Sequence, residues 1–109
     1  MGNKQLIVDV RIYNIVPRKM KTYLSIFEEH GLPVQRRHLG EPLGYFVTEH
    51  GQLHQVVHLW GYASLADMES KRAARDADPA WADYMARTDG LVVSQENKLT
   101  RPTAWSGIR

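Results

Sequence analysis

Alternating apolar and polar positions predict strands along much of the chain. In residues 5–15 an aliphatic side chain stands at every second position from Leu6 to Ile12, and a period of two is typical of a strand. Extended apolar runs recur at residues 43–49, 53–62 and 91–100. Gly51, between the second and third runs, suits the left-handed residue of a hairpin turn. The pattern therefore predicts four strands, the middle two joined directly.

Helical spacing fills the gap between the first two strands. Pro17 suits the first turn of a helix, where its missing N–H is tolerated. We expect this helix to end at Gly31, and Pro33 to begin a short second helix that ends near Gly40. The apolar positions of the first helix recur at intervals of three and four: Met20, Tyr23, Leu24 and Phe27.

Capping signals predict two more helices before the last strand. Ser64 and Asp67 resemble a capping box ahead of a helix at residues 65–77. Asp78 followed by Pro79 repeats the signal ahead of a helix at residues 80–87, which Gly90 ends. The resulting order is the βαββαβ arrangement of ferredoxin-like α+β folds, with helices on one face of an antiparallel four-stranded sheet.

The two sheet faces differ in their side chains, and we expect the aliphatic face to lie beneath the helices. Its predicted members are Leu6, Val8, Val10, Ile12, Leu53, Val57 and Leu59. The other face is more aromatic and polar, and its predicted members are Ile7, Asp9, Arg11, Tyr13, His54, Val56, His58 and Trp60. A contiguous apolar face of this kind usually marks an interface. We therefore predict a homodimer, or a multiple of dimers, with these faces packed together.

Composition limits the function classes. A chain of 109 residues and 12.5 kDa fits one domain, which we place at residues 5–106. The absence of cysteine excludes thiolate chemistry and disulfides, and it fits a cytoplasmic protein. A net charge of +2 without a basic stripe argues against a nucleic-acid partner. Residues 1–5 do not resemble a signal peptide, and no apolar run is long enough for a membrane span.

Six short segments carry a resemblance to a known family. The segments are Val8-Asp9-Val10-Arg11-Ile12-Tyr13, His38-Leu39-Gly40, Gly44-Tyr45-Phe46, Gln55-Val56-Val57-His58-Leu59-Trp60, Asp78-Pro79-Ala80-Trp81 and Ser94-Gln95-Glu96-Asn97. Together they look like the NIPSNAP family, from about Ile7 to Trp105. The resemblance implies a dimeric α+β barrel, in which two ferredoxin-like sheets close a barrel across a dimer. The roles proposed for longer, mitochondrially targeted members transfer poorly to this chain.

Arg11 and His58 are the candidate functional residues whose side chains could bind a charged group or transfer a proton. Arg11 suits an anchor for an anion or carbonyl, and His58 suits a general acid or base near its ordinary pKa. Structural roles compete with both: Arg11 pairs with Asp9 or Glu49, and His58 hydrogen-bonds a neighbouring strand. Further candidate ligand-binding residues are Tyr13, Tyr45 and Trp60 as pocket walls, and Gln95 and Asn97 as amide donors and acceptors.

Two functions remain open from the sequence. In the first, the dimeric barrel binds a small apolar or aromatic ligand, with or without catalysis. In the second, side chains fill the barrel, and the protein is a non-catalytic interaction module. No histidine spacing predicts a metal site, and no cofactor is required. Haem would need His58 or another histidine as axial ligand. We also expect Trp105 in the C-terminal tail to be anchored on its own domain or on a partner.

Overall fold

The computed structural model describes residues 6–109. Gln5, with which the predicted first strand and domain begin, lies outside the described residues. The elements in chain order are β1 (Ile7–Ile15), α1 (Met20–Ile26), a π-helical turn (Phe27–Gly31), α2 (Leu32–Leu39), β2 (Gly44–Val47), β3 (Gln55–Tyr62), α3 (Leu65–Asp76), α4 (Pro79–Arg87) and β4 (Val92–Thr100). This order confirms the predicted α+β fold. None of these helices is long and apolar enough to cross a membrane.

The four strands form one antiparallel sheet in the order β2-β3-β1-β4, which is the ferredoxin-like order. The central strands β1 and β3 carry the candidate residues. In their register, Arg11 lies opposite His58. On the other side of β1, Arg11 lies opposite Asn97 and Tyr13 lies opposite Gln95. Because directly paired residues point to the same face of a sheet, these five side chains share one face.

The helical segment after β1 differs from the prediction at both ends. Arg18 adopts a left-handed backbone conformation (φ 72°), and α1 begins only at Met20. Gly31 does not end the helix, because the chain passes through the π-helical turn directly into α2. A Cβ at Gly31 would lie 2.7 Å from the ring of Tyr84 and 2.8 Å from that of Phe27. Glycine is therefore required here for the close approach of α4.

The predicted N-caps of α3 and α4 are confirmed. The Ser64 hydroxyl accepts a hydrogen bond from the Asp67 backbone N–H over 3.0 Å. The Asp67 carboxylate in turn accepts from the backbone N–H of Ala63. Asp78 caps α4 by accepting from the Ala80 N–H over 2.9 Å. These contacts satisfy N–H groups that have no partner within the helix, and so they fix where both helices begin.

The predicted assignment of the two sheet faces is wrong, because the aromatic face lies beneath the helices. Ile7, Val56 and Trp60 are buried there in a core that includes the helical residues Tyr23 and Phe27. Both faces carry large apolar side chains, so alternation separates the faces without indicating which one the helices cover. The aliphatic positions expected beneath the helices do not form this core: Leu6, Val8, Val10, Ile12, Leu53, Val57 and Leu59.

The opposite surface of the sheet is apolar and faces away from the helices. We call it the open face; its apolar members are Val8, Val10, Ile12, Phe46, Val57 and Leu59. Most of them are only partly buried in the single chain, and Phe46 is 55% exposed. Glu96 and Lys98 of β4 stand at its edge and form an ion pair.

The C-terminal tail does not fold back onto the domain as expected. Trp105 is 85% exposed, so the predicted anchoring of its indole on the same chain is wrong. The hydrogen bonds of the tail are local, such as that from the Ser106 N–H to the Thr103 carbonyl, and they do not hold the indole against the domain. Anchoring on a partner stays a prediction.

Candidate functional site

A cavity of about 230 Å³ lies between the helices and the sheet face that they cover. Its sheet wall consists of Tyr13, His58, Val92 and Gln95. Its remaining lining residues come from the helices and the loop before β4: Tyr23, Phe27, Gln35, Trp81, Tyr84, Met85, Thr88, Asp89 and Gly90. Ligand pockets are typically concave and mostly apolar with a few polar groups, and this cavity fits that description.

The structure brings the sequence-predicted site residues together, but not in a dimer interior. Tyr13, His58 and Gln95 line the cavity. Arg11, Tyr45, Trp60 and Asn97 lie on the same face of the sheet, beside these three. The face that carries them packs against the helices of its own chain, so the expectation that they face a partner subunit is wrong. Whether they bind a ligand stays a prediction.

The sequence did not predict that the helical residues lining the cavity form part of a site. Tyr23 and Phe27, and likewise Trp81 and Tyr84, recur at helical spacing, and such aromatics are usually interpreted as core. The Trp81 and Tyr84 rings lie 4.9 Å apart, and Phe27 meets Tyr84 edge to face at 5.9 Å. The available signal was the concentration of aromatic residues on two helices predicted to cover the same sheet.

His58 is a neutral hydrogen-bond donor. The indole N–H of Trp60 donates to its Nδ1 over 2.7 Å, and therefore the imidazole hydrogen resides on Nε2. Burial, and secondly the charge of Arg11, lower the pKa of His58 from 6.5 to about 3. The expected general acid or base near its ordinary pKa is thus wrong. The expected bond to a neighbouring strand is wrong as well, because Trp60 belongs to the same strand.

The Nε2 atom of His58 has no hydrogen-bond partner, although the residue is only 2% exposed. Aromatic rings surround it: Tyr45 stacks on the imidazole at 4.7 Å, and Tyr13 meets it edge-on at 4.8 Å. The Tyr45 hydroxyl is also buried without a partner. A buried N–H without an acceptor costs about 1–3 kcal/mol, so His58, which forms part of the cavity wall, carries an unused donor.

Arg11 is held by two neighbours on its own strand. Its NH1 donates to Asp9 over 3.0 Å, and its Nε and NH2 both donate to the Tyr13 hydroxyl at 3.1 and 3.0 Å. The Asn97 side-chain amide satisfies both its groups when its oxygen and nitrogen are exchanged. In that orientation the oxygen accepts from Arg11 NH1 at 3.2 Å and the nitrogen donates to the Glu96 carbonyl. Burial disfavours the charge, but Tyr13 and Asp9 outweigh it and hold the pKa of Arg11 above its ordinary value. The predicted pairing with Asp9 is confirmed.

The polar groups of the helical wall find partners within the chain. The Tyr84 hydroxyl donates to Tyr23 over 3.4 Å, and burial raises the pKa of both phenols, which keeps them neutral. The Thr88 hydroxyl donates to backbone carbonyls of α4, and Gln35 accepts from Arg75. The free donor of His58 therefore stands out among the cavity-lining groups.

His58 does not fit the role of a haem axial ligand. Metal-bound histidines usually donate their second ring N–H to a neighbour, which leaves the other nitrogen free for the metal. Here the arrangement is reversed, because Nδ1 accepts from Trp60 and Nε2 holds the hydrogen. Within residues 6–109, no three histidine or acidic side chains group as a metal site would require.

The fold and its cavity define the class of protein as a ferredoxin-like α+β domain with a pocket between sheet and helices. Residues 8–107 match the model of the NIPSNAP family. The chain belongs to the NIPSNAP family.

Relatives with known sequences or structures agree with this assignment. A NipSnap homologue of Dictyostelium discoideum is 31% identical over 101 residues, which is 93% of this chain and 44% of that protein. The chain thus spans less than half the length of that curated relative. A solved NIPSNAP family protein of Agrobacterium tumefaciens is 42% identical, with a TM-score of 0.91 over 95% of this chain and 99% of the other.

The same fold occurs outside the family. A solved protein of Nitrosomonas europaea, described as an antibiotic biosynthesis monooxygenase, superposes with a TM-score of 0.67 over 98% of this chain and 99% of the other. Only 7% of the aligned residues are identical. This similarity therefore concerns the fold alone.

Proposed function

We propose that the protein binds a small aromatic or apolar molecule in the cavity between its sheet and its helices. The observation that carries this proposal is the unpartnered, buried Nε2–H of His58 in a wall of aromatic rings. An acceptor on the ligand removes the penalty of this donor, while flat rings pack against Phe27 and Trp81. One polar point in an aromatic cavity fixes the orientation of the ligand.

The alternative, an interaction module without a ligand site, requires that side chains fill the space around His58. The cavity next to His58 favours ligand binding over this alternative.

The protonation state of His58 limits its role in any catalysis. A histidine with a pKa of about 3 is neutral and only weakly basic at neutral pH, so His58 suits a hydrogen-bond donor better than a general base.

The test is to fill the cavity with a side chain and measure binding. Val92 lines the cavity, whereas its neighbour Val93 is 65% exposed. We expect Val92→Phe to abolish binding of an aromatic probe, followed by quenching of tryptophan fluorescence, and the matched control Val93→Phe to bind like the wild type. Equal binding by both variants contradicts the cavity as the site. Mass spectrometry of the purified protein identifies molecules that copurify.

We further propose that two copies pair through their open faces. The apolar stripe around Ile12 and Leu59 is only partly buried in the single chain, and a second copy provides a matching surface. Native mass measurement of Phe46→Asp tests this, with Leu65→Asp as control, because both residues are similarly exposed at 55% and 48% but Leu65 lies on α3. A wild-type monomer at micromolar concentration contradicts the proposal.

We also place the protein in the cytoplasm. The complete absence of cysteine supports a reducing compartment. Expression of a fluorescently tagged full chain and fractionation of the cells test this placement, and recovery in a membrane or secreted fraction contradicts it.

A further inference from the structure

A carboxylate lines the cavity where the cavity meets solvent. Among the lining residues that the structure describes, Asp89 is the only one with a carboxylate, and none is a lysine or an arginine. The lining residues that are exposed to solvent mark the mouth of the cavity: Met85, Asp89, Gly90 and Gln95. Tyr23, Phe27 and Tyr84 are buried and form its interior. The cavity therefore has an aromatic interior and an anionic mouth.

The position of Asp89 is electrostatically unfavourable for the chain alone. Asp89 directly follows Thr88, the C-cap residue of α4. The carbonyls at a helix C-terminus carry a partial negative charge, which disfavours a carboxylate and favours a cation. Within residues 6–109 the Asp89 carboxylate has no ion-pair partner, and the neighbouring Arg87 pairs with Asp83 instead. A cation from outside the chain would interact favourably with both the carboxylate and the end of the helix.

The positive charges near the cavity do not oppose a bound cation at its mouth. Arg11 pairs with Asp9 over 3.0 Å and does not line the cavity. Arg75 forms its own ion pair and lies over the Trp81 ring, 4.5 Å from its centroid. Burial lowers the pKa of His58 to about 3, so its imidazole is neutral. The faces of aromatic rings carry a negative potential, which also suits a cation better than an anion.

From these observations we infer that the cavity selects arylalkylamines, with the ring between its aromatic walls and the ammonium group at its mouth beside Asp89. The inference rests on the proposed ligand-binding function and names the chemical class of the ligand. The cavity of about 230 Å³ is smaller than the pockets of drug-sized ligands, which measure about 300–1,000 Å³. A single ring on a short chain therefore suits it.

An ammonium group suits the mouth because it does not have to leave water completely. It has three N–H donors, of which one or two can bind the Asp89 carboxylate while the others stay hydrated. The desolvation that makes a buried charge unfavourable is thereby avoided. The ring supplies the apolar surface that the interior of the cavity can bury, and the short chain joins the two parts.

The experiment compares two probes of the same size, phenethylamine and phenethyl alcohol, with the whole chain. Titrations at neutral pH, followed by proton–nitrogen NMR, give the two dissociation constants. We expect the amine to bind about three- to tenfold more tightly in about 20 mM salt, because an exposed ion pair and a helix C-terminus both favour it. In about 500 mM salt most of this preference should disappear, since salt screens exposed charges.

The outcomes separate the two proposals. If neither probe binds, the proposed ligand-binding function fails and the inference fails with it. If the alcohol binds as tightly as the amine or more tightly, only the inference is overturned. A preference for the amine that weakens with salt supports both, and a preference that salt leaves unchanged contradicts the ion pair.

Two variants test whether Asp89 is the residue responsible. Asp89→Asn removes the charge at constant size, and we expect the two probes then to bind with similar affinity. Glu69→Gln removes the same charge from an exposed position on α3 that does not line the cavity, and we expect it to keep the preference for the amine. A preference that persists in Asp89→Asn, or that is lost equally in Glu69→Gln, overturns the role of Asp89.

A third variant separates binding inside the cavity from pairing on the surface. Val92→Phe fills the cavity and leaves Asp89 in place, so we expect it to bind neither probe. Amine binding that survives in Val92→Phe means pairing on the surface alone and overturns the inference. Should Val92→Phe not fold, nuclear Overhauser contacts in the wild type decide, because a bound amine whose ring contacts neither Phe27 nor Tyr84 overturns the inference equally.

Discussion

The indole N–H of Trp60 donates to Nδ1 of His58 over 2.7 Å, and this one contact determines where the imidazole carries its hydrogen. Both residues lie on β3, two positions apart, so they share the face beneath the helices. The contact occupies the only lone pair of the neutral ring and leaves the hydrogen on Nε2, which is buried without an acceptor. Trp60 itself does not line the cavity, and it acts on the site through His58.

Removal of the indole N–H tests how much this hydrogen bond contributes to the stability of the fold. Trp60→Phe leaves Nδ1 of His58 buried without a donor, and we expect the free energy of unfolding to fall by about 1–3 kcal/mol. Urea unfolding measures the loss. Trp105→Phe is the matched control, because Trp105 is 85% exposed and its replacement should change the stability very little. Equal effects of the two substitutions contradict the assigned role of Trp60.

The depressed pKa of His58 predicts how stability depends on pH. The unfolded chain binds a proton at this residue below about pH 6.5, whereas the folded chain does so only near pH 3. The stability that the neutral imidazole provides is therefore complete above pH 6.5 and is lost as the pH falls toward 3. The slope is at most about 1.4 kcal/mol per pH unit.

Urea midpoints between pH 7 and pH 4.5 measure this slope, in a range where most carboxylates stay ionised. His58→Gln has no group that titrates at this position, and its midpoint should change less over the same range. A wild-type protein whose stability is as flat as that of the variant argues against a neutral, buried His58.

Gly31→Ala should narrow the cavity. The new Cβ would lie 2.7 Å from the Tyr84 ring and 2.8 Å from the Phe27 ring, and both rings line the cavity. Overpacking of this kind typically costs about 1–3 kcal/mol, and the displaced rings should weaken binding of an aromatic probe. Gly107→Ala serves as control, because nothing lies within 4 Å of its Cβ. Unchanged binding and stability in Gly31→Ala would show that α4 shifts freely.

Arg11 should stabilise the folded chain through its ion pair with Asp9. Arg11→Met leaves Asp9 as a buried carboxylate without its partner, and loss of one member of a buried ion pair costs about 3–5 kcal/mol. Arg11→Lys keeps the charge but loses the double contact with the Tyr13 hydroxyl, so its loss should be smaller. Thermal unfolding ranks the two variants.

The double variant Asp9→Leu with Arg11→Met completes a thermodynamic cycle. Because both charges are removed together, we expect it to be more stable than the sum of the single substitutions indicates. Additive losses would mean that the two side chains do not stabilise each other.

The order of the elements was predictable because its signals are local. Alternation identifies β1 and β3, and Ser64 and Asp78 determine where α3 and α4 begin through contacts within a few residues. The role of Gly31 was not predictable, because it depends on Tyr84, which is distant in the sequence. The sheet face beneath the helices was not predictable either. Both faces of β1 carry large apolar side chains, and only the helices determine which one becomes the core.

The surroundings of the candidate site residues were predicted wrongly for the same reason, and their role stays a prediction. Arg11, Tyr13 and His58 were recognised because polar and aromatic side chains on one strand face are unusual. Their partner surface is a set of helices rather than a second sheet, and this depends on the packing of the entire chain. The tautomer of His58 also required coordinates, since a sequence does not show which neighbour donates to Nδ1.

In β1 the odd-numbered positions from Ile7 to Ile15 point toward the helices, and the even-numbered positions point toward the open face. A single nine-residue strand therefore contributes to two separate surfaces, with positions that alternate one residue at a time. Substitutions at odd positions alter the packing between the sheet and the helices. Substitutions at even positions alter the open face. The interior of the chain and the outer surface of the sheet can therefore be altered separately by substitutions within the same strand.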